Sequence, residues 1–263
     1  MHGEPMTILV TGATGSVGGQ IVSQLREETV RPFSRTTGGD LTDVDSVRAA
    51  LTDVDKVFLV WPFFHTEGLG EVLDAIAERA KRIVYLSSAG APEWAREAEE
   101  LIEQTGLEWT FLQPTGFAAN ALHWADDIKT HGVVRTPFGD MSRPHIHEHD
   151  MAAVGVQALL TDKHVGARYT LSGPELVTQF DQVKIIGEVT GKDLRLEEET
   201  PEEARARMLV SGWPEPLVDS ALEAWASMVE NPEPIVPTVE EVTGRPAKTF
   251  REWARDHLTD FTP

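Results

Sequence analysis

Gly12, Gly15 and Gly18 stand three residues apart in the run Thr7-Ile8-Leu9-Val10-Thr11-Gly12-Ala13-Thr14-Gly15-Ser16-Val17-Gly18-Gly19, and this is the clearest chemistry in the chain. An apolar strand leads into the turn and a helix, read over residues 16–26, leads out of it. Gly12 can take the tight turn, Gly15 lets the main chain approach a pyrophosphate with no Cβ in the way, and Gly18 lets the helix lie close to the strand. Thr14, Ser16 and Val17 complete the turn, where the first helical N–H groups and the positive dipole end favour phosphate. The spacing predicts a dinucleotide site, with an ordinary strand-to-helix turn as the alternative.

A second group of residues could serve proton transfer or a substrate pocket. Asn120 and Trp124 are four apart on an expected helix and share a face, and His123 neighbours Asn120. His145, His147 and His149 alternate, so on an extended segment they would point one way. Zinc is the minor reading of that trio and no metal is expected; His147 is the one taken as a proton donor. Trp61-Pro62-Phe63-Phe64 follows an apolar strand, and so many exposed aromatics call for a covering partner or an apolar ligand.

The elements that must position these groups alternate along the first half of the chain. Strands are expected over residues 29–33, 56–61, 82–86 and 108–112, and helices over 43–51, 69–79 and 93–104. Strands that alternate with helices of this length imply parallel crossovers, so the fold class is α/β, a doubly wound, mostly parallel sheet. A helix over 118–129, extended pieces at 133–135 and 145–147, a helix capped by Asp150 that reaches Leu160, and a strand at 168–171 follow. The rest is mainly helical. The expected division is residues 1–160 as the binding domain and 161–263 as a smaller substrate region.

Composition excludes several classes. A formal charge of -20 argues against nucleic-acid binding, which needs clustered Lys and Arg. With 0 cysteines there is no disulfide framework, thiolate nucleophile or Cys-ligated zinc, in agreement with a reducing compartment. No apolar run reaches the ~18 residues of a membrane span, and the opening residues lack a signal peptide's basic and apolar regions. A cytoplasmic protein with a small-molecule ligand and no membrane partner is expected, and a homo-oligomer is compatible with this reading.

Several pieces together resemble the NmrA-like group of atypical short-chain dehydrogenase/reductases, a family of NAD(P)-binding Rossmann proteins. They are residues 10–18, Gly39-Asp40-Leu41-Thr42-Asp43, Val84-Tyr85-Leu86-Ser87-Ser88, residues 99–110, Pro114-Thr115-Gly116-Phe117, and residues 147–152. The resemblance implies that the glycine turn holds the diphosphate, that Asp40 and Leu41 lie by the adenine, and that Trp61, Pro62, Ser87 and Ser88 flank the nicotinamide. For Asp40 and for the serines, a helix cap and a strand-end turn remain open alternatives. The resemblance also sets Phe117, Asn120 and Trp124 beside the nicotinamide and so in the substrate pocket; Phe63 joins them as an exposed aromatic, and Ser88, His123 and His147 are the candidate proton-transfer residues. At the end of the second strand the chain has Arg31-Pro32-Phe33-Ser34-Arg35 and no acid, which favours NADP through Arg31, Ser34 and Arg35, with NAD still open.

The chain also departs from the family pattern. The loop from Phe33 to Gly39 is short, and no Tyr-x-x-x-Lys exists: four residues beyond Tyr85 and Tyr169 stand Ala89 and Gly173. Ala95 occupies a position where relatives often carry Lys or His. The expected function is an NAD(P)-dependent oxidoreductase acting on a small apolar carbonyl, enone or quinone. A non-redox sensor, or a non-redox isomerase or cyclase on the same fold, are the alternatives.

Overall fold

A computed structural model describes residues 6–90 and 92–262; the opening residues 1–5, read above for a leader, lie outside them. The chain forms two compact units, and each collects separated segments. The first contains residues 1–115, 148–171 and 237–246, the second residues 116–147, 172–236 and 247–263. This is not the single boundary at residue 160 that the rise in helix content suggests. The chain leaves the first unit after its fifth strand and returns to it twice.

In the first unit the alternation runs β1 (Thr7–Thr11), α1 (Ser16–Gln24), β2 (Thr29–Phe33), α2 (Val44–Ala50), β3 (Lys56–Val60), α3 (Leu69–Ala77), β4 (Arg82–Leu86), α4 (Glu93–Gln104) and β5 (Glu108–Pro114). The second unit then takes α5 (Ala125–Thr130), β6 (Val133–Thr136) and β7 (Ser142–Arg143), before α6 (Glu148–Leu160) and β8 (Ala167–Leu171) rejoin the first. Its six strands are parallel in the order β2-β1-β3-β4-β5-β8. The central strands are apolar on both faces because helices cover both: Ile8, Leu9, Val57, Phe58, Ile83 and Val84 are all buried. From β1 the sheet grows to β2 on one side and β3 on the other. Open α/β sheets bind ligands at the carboxyl ends of strands where the order reverses in this way.

The opposite end of the sheet is closed by one buried cation. Arg82, with a side chain only 2% exposed, pairs with Glu108 and Asp162 and donates to the carbonyl of Thr161 at 2.9 Å. It thereby fastens β4, β5 and the end of α6 to one another.

The second unit continues with β9 (Val177–Thr178), α7 (Gln179–Thr190), β10 (Arg195–Glu198), α8 (Pro201–Val210) and α9 (Glu215–Glu230). After α10 (Thr238–Thr243), which belongs to the first unit, it closes with α11 (Phe250–Asp256). β6 pairs with β10 and β7 with β9, and capping boxes at Thr178, Thr200 and Thr249 start α7, α8 and α11. Phe250, Trp253 and Phe261 pack with Val134, Val183 and Ile186 in one core; Ala204, Met208, Val218 and Leu222 make a smaller one.

Two sequence expectations are corrected in this region. The helix expected over 118–129 is a 3₁₀ helix, Ala118–Trp124, followed by α5, and its entry is fixed by Ala118 N–H on the Ile146 carbonyl. α6 begins at Glu148, so Asp150 lies in its first turn and does not cap it. His149 is therefore helical, and the three alternating histidines do not lie along one extended strand.

His145 is buried, with its Nε2 2.8 Å from the Gln182 amide nitrogen. Burial, with Arg143 beside it, holds the ring neutral and pushes its pKa down to about 3, partly offset by the Phe117 backbone.

Two outcomes follow from these buried groups. Arg82→Ala should cost about 3 kcal/mol of unfolding free energy in urea denaturation, because two carboxylates and a carbonyl lose their shared partner. For His145 the folded form refuses a proton that the unfolded chain accepts near pH 6.5, so stability falls as pH drops from about 6.5 toward 3, by up to about 1.4 kcal/mol per unit. Urea titrations at pH 6.5, 6.0, 5.5 and 5.0 should show that slope in the native chain and a flatter one in His145→Gln.

Candidate functional site

The glycine turn sits at the carboxyl end of β1, next to β3. The Thr11 hydroxyl accepts from Val60 N–H at 2.7 Å and donates to the Val60 carbonyl at 3.0 Å, which locks the two strand ends together. Gly12 then turns the chain with φ +59°, in the left-handed region. A Cβ on Gly18 would stand 2.2 Å from the Gly12 carbonyl oxygen, and one on Gly15 would stand 3.2 Å from the same atom. Gly15 is the N-cap of α1, and neither a side-chain cap nor an acid in the first turn serves the helix's leading amides. Thr14, Gly15 and Ser16 are exposed, while Val17 and Gly18 are buried. An uncapped nine-residue helix that opens on an exposed glycine turn fits a diphosphate by shape and by charge.

Around the turn, the structure sorts the other expected cofactor residues. Ser34 and Thr37 form a capping box around a 3₁₀ turn, and Thr36 donates to the Thr14 hydroxyl at 3.3 Å, so Ser34 and exposed Arg35 stand beside the glycine cradle. Arg31 does not join them, because its guanidinium caps the end of α2 through the carbonyls of Ala50 and Thr52. The Asp40 carboxylate accepts from the Thr42 amide and hydroxyl, which holds its pKa below the ordinary value, with Arg35 adding to the effect. Asp43 caps α2. Leu41 and Trp61, which the resemblance assigns to the adenine and to the nicotinamide respectively, instead share one cavity of about 360 Å³ that Val44, Phe63 and His65 also line. Trp61 Nε1 donates to the His65 carbonyl at 2.8 Å, and Phe63 packs between the Trp61 and His65 rings. Phe63 therefore belongs to this cavity of the first unit and is not grouped with Asn120 and Trp124. Pro62 is exposed beside it.

At the end of β4, Ser87 is buried and its hydroxyl donates to Glu99 Oε1 at 2.5 Å. Gln113 Nε2 donates to the same oxygen at 2.9 Å, and Arg168 Nε reaches Oε2 at 3.3 Å. This carboxylate was missed in the sequence, although it lies on the inward stripe Ala95, Ala98, Glu99, Ile102 of α4, where an acid is out of place. Ser88 is partly exposed and its hydroxyl donates to the Ala89 carbonyl. Burial and nearby Glu99 push the Tyr85 phenol far above its ordinary pKa, so Tyr85 gives no proton at neutral pH.

In the second unit, Asn120, His123 and Trp124 line a cavity of about 350 Å³ together with Met141, Arg143, His145, Gln182, Trp213 and Trp225. Asn120 and Trp124 both line it, although the 3₁₀ turn removes the α-helical i, i+4 face on which the sequence groups them; Arg143 was not legible. His147 does not line this cavity. It is 2% exposed and its Nε2 lies 3.2 Å from Asp256 Oδ2, which also accepts from Lys248 Nζ at 2.6 Å. Phe117 pairs through its backbone with Ile146 and is not part of the lining either. Trp213 and Trp225 reach the same cavity from the second unit's later helical region.

The comparisons with known proteins agree with this geometry. The NAD(P)H-binding family matches residues 12–162, which include the cradle and most of the sheet. The (4-alkanoyl-5-oxo-2,5-dihydrofuran-3-yl)methyl phosphate reductase of Streptomyces griseus is 35% identical, covering 97% of this chain and 99% of its own length. The NAD(P)H azoreductase of Xenophilus azovorans is 31% identical over 97% and 99%. The fold also matches the NADPH-dependent quinone oxidoreductase of Escherichia coli, solved with NADPH, at a TM-score of 0.78 with 20% identity, over 97% of this chain and 100% of that one. With a family match over more than half its length and full-length reductase relatives, the chain belongs to the NAD(P)H-binding family, as its glycine cradle and NmrA-like segments imply.

Proposed function

We propose that this chain is an NADPH-preferring reductase of a small conjugated acceptor, a quinone, an enone or an unsaturated lactone, which occupies the cavity of the second unit. The uncapped start of α1 behind the glycine turn carries the reading, because it fits a diphosphate and sits within the part of the chain that the family covers. Gly12, Gly15 and Gly18 would hold the diphosphate, Ser34 and Arg35 the ribose end, and Leu41 with Trp61 the adenine side. A bound reduced nicotinamide supplies hydride.

The acceptor class follows from the proton donors that the fold withdraws. Reducing an isolated ketone puts charge on an alkoxide, which needs a positioned acid. Among the described residues Ser87 is committed to Glu99, Tyr85 is buried in the core, and His145 is held neutral, so three groups that could protonate an alkoxide are withdrawn, while His123 stays on the cavity as a candidate donor. A conjugated acceptor spreads the charge into an enolate or a hydroquinone anion, which water can protonate. The Streptomyces relative's name describes the methyl phosphate ester of an unsaturated lactone bearing an alkanoyl group, and the Xenophilus relative's name an azo reductase; a conjugated lactone and an azo group are both conjugated acceptors. The same withdrawal of donors supports a second reading, a sensor that binds the dinucleotide without turning anything over.

NADPH fluorescence titration should give saturable binding that Gly15→Leu abolishes, and unchanged affinity in that variant would sink the cradle. Arg35→Ala should lower the preference for NADPH over NADH about tenfold, the worth of a charge-assisted phosphate bond. Arg31→Ala should leave the preference as it was. Oxidation of NADPH in the presence of naphthoquinones and cyclic enones, but not of simple aldehydes, is the expected turnover. Tight binding with no turnover of any acceptor would favour the sensor.

A further inference from the structure

Arg143 lines the cavity of the second unit, yet one edge of its guanidinium is fixed away from solvent chemistry. Nε and Nη2 donate to the two carboxylate oxygens of Glu233 at 2.6 and 2.9 Å, and both side chains are less than a fifth exposed. One side of the group is packed against Gly116: a Cβ there would stand 2.8 Å from Nε and 3.0 Å from Cζ. Nη1 makes no hydrogen bond to any described residue, so the edge that Glu233 does not occupy keeps its donors. A guanidinium pinned on one edge and one side holds a fixed direction for whatever meets the other edge.

The partner chemistry follows from charge and shape. Arg207, the other cation on this cavity, is likewise compensated, by Glu199. Among the described residues no Asp or Glu lines the cavity, but both of its arginines are already paired, in a chain of formal charge -20. A full anion would therefore gain little net attraction, whereas a carbonyl oxygen accepts N–H bonds without bringing a charge. Trp124, Trp213 and Trp225 supply flat apolar walls, which suit a planar ring system, and about 350 Å³ is at the small end of ligand pockets.

We infer that Arg143, positioned by Glu233 and Gly116, is the recognition group of this cavity, and that the cavity selects planar, uncharged carbonyl compounds through a bond from the free guanidinium edge to a carbonyl oxygen. This rests on the reading that the cavity holds the acceptor. It adds a recognition residue, a positioning residue, and a preference for neutral over anionic congeners. Gly116, legible in the sequence only as part of a family segment, acquires a role as the flat surface against which the guanidinium lies.

Calorimetric titration of the full chain without any dinucleotide tests this apart from turnover, and with 0 cysteines a quinone probe forms no thiol adduct. The probes are 2-methyl-1,4-naphthoquinone, 2-methylnaphthalene and 1,4-naphthoquinone-2-sulfonate. The native chain should bind the quinone about tenfold more tightly than the hydrocarbon, the worth of one bond from a charged donor, and more tightly than the sulfonate. Arg143→Ala should bring quinone and hydrocarbon within about twofold while leaving the hydrocarbon's affinity unchanged, and Arg143→Lys should recover part of the difference. Glu233→Gln and Gly116→Ala should each lower quinone affinity with Arg143 intact, and thermal melts identify any variant that has lost its fold. A tenfold preference that persists in Arg143→Ala, or tighter binding of the sulfonate than of the quinone, overturns the inference. Reduction of the same quinone with NADPH is scored separately. Binding as expected with no turnover leaves the inference standing and removes the reductase reading; turnover with no effect of Arg143 on binding does the reverse.

Discussion

The close approach of α1 to the end of β1 is the constraint on which the first unit depends. The Gly18 α-carbon lies so near the Gly12 carbonyl that any side chain at residue 18 would overlap it, so helix and strand meet backbone to backbone. That contact leaves the leading amides of α1 uncapped at an exposed turn, and the Thr11 hydroxyl holds the turn against β3. Sheet order, helix placement and the uncapped helix start are thus aspects of one packing decision. The crevice lies where the strand order reverses, and the glycines allow the helix to open onto it.

Buried charge fastens the two ends of the same sheet in different ways. At the amino end Arg82 gathers two carboxylates and backbone carbonyls, which stiffens the end away from the ligand. At the carboxyl end the roles are reversed: Glu99 gathers a hydroxyl, an amide and a guanidinium from β4, β5 and β8. A buried carboxylate with three donors is well satisfied, and it consumes the hydroxyl of Ser87 that sequence resemblance assigns to the cofactor. Rigidity at the strand ends is obtained at the expense of a free proton donor there.

The parts legible in the sequence were those set by local physics. Strand and helix alternation, the glycine turn and the exact span Glu93–Gln104 follow from periodicity and backbone freedom among near neighbours. The cradle could be read because all its atoms come from one short run. The rest depended on partners far away along the chain. Arg31 looked like a phosphate ligand until the α2 carbonyls claimed it, nineteen and twenty-one residues on. Phe63 was grouped with Asn120 by chemical type, but Trp61 and His65 hold it elsewhere. His147 faced a carboxylate 109 positions later, and Arg143 one 90 positions later, distances over which no periodic pattern carries information. Residue types named the chemistry that was available, and tertiary contacts decided which groups were spent on structure.

The division of the chain into interleaved segments has a consequence for how the protein comes to be made. The first unit takes in residues 237–246 after the chain has made most of the second, so neither unit is complete on one stretch of sequence. The nucleotide cradle is translated well before the segments that close the body around it. A newly made chain must therefore keep the apolar strands of its sheet out of reach of neighbours until those segments have emerged. Its strongly acidic composition supplies one means of doing so, since nascent chains of like charge repel each other before either has a core to bury.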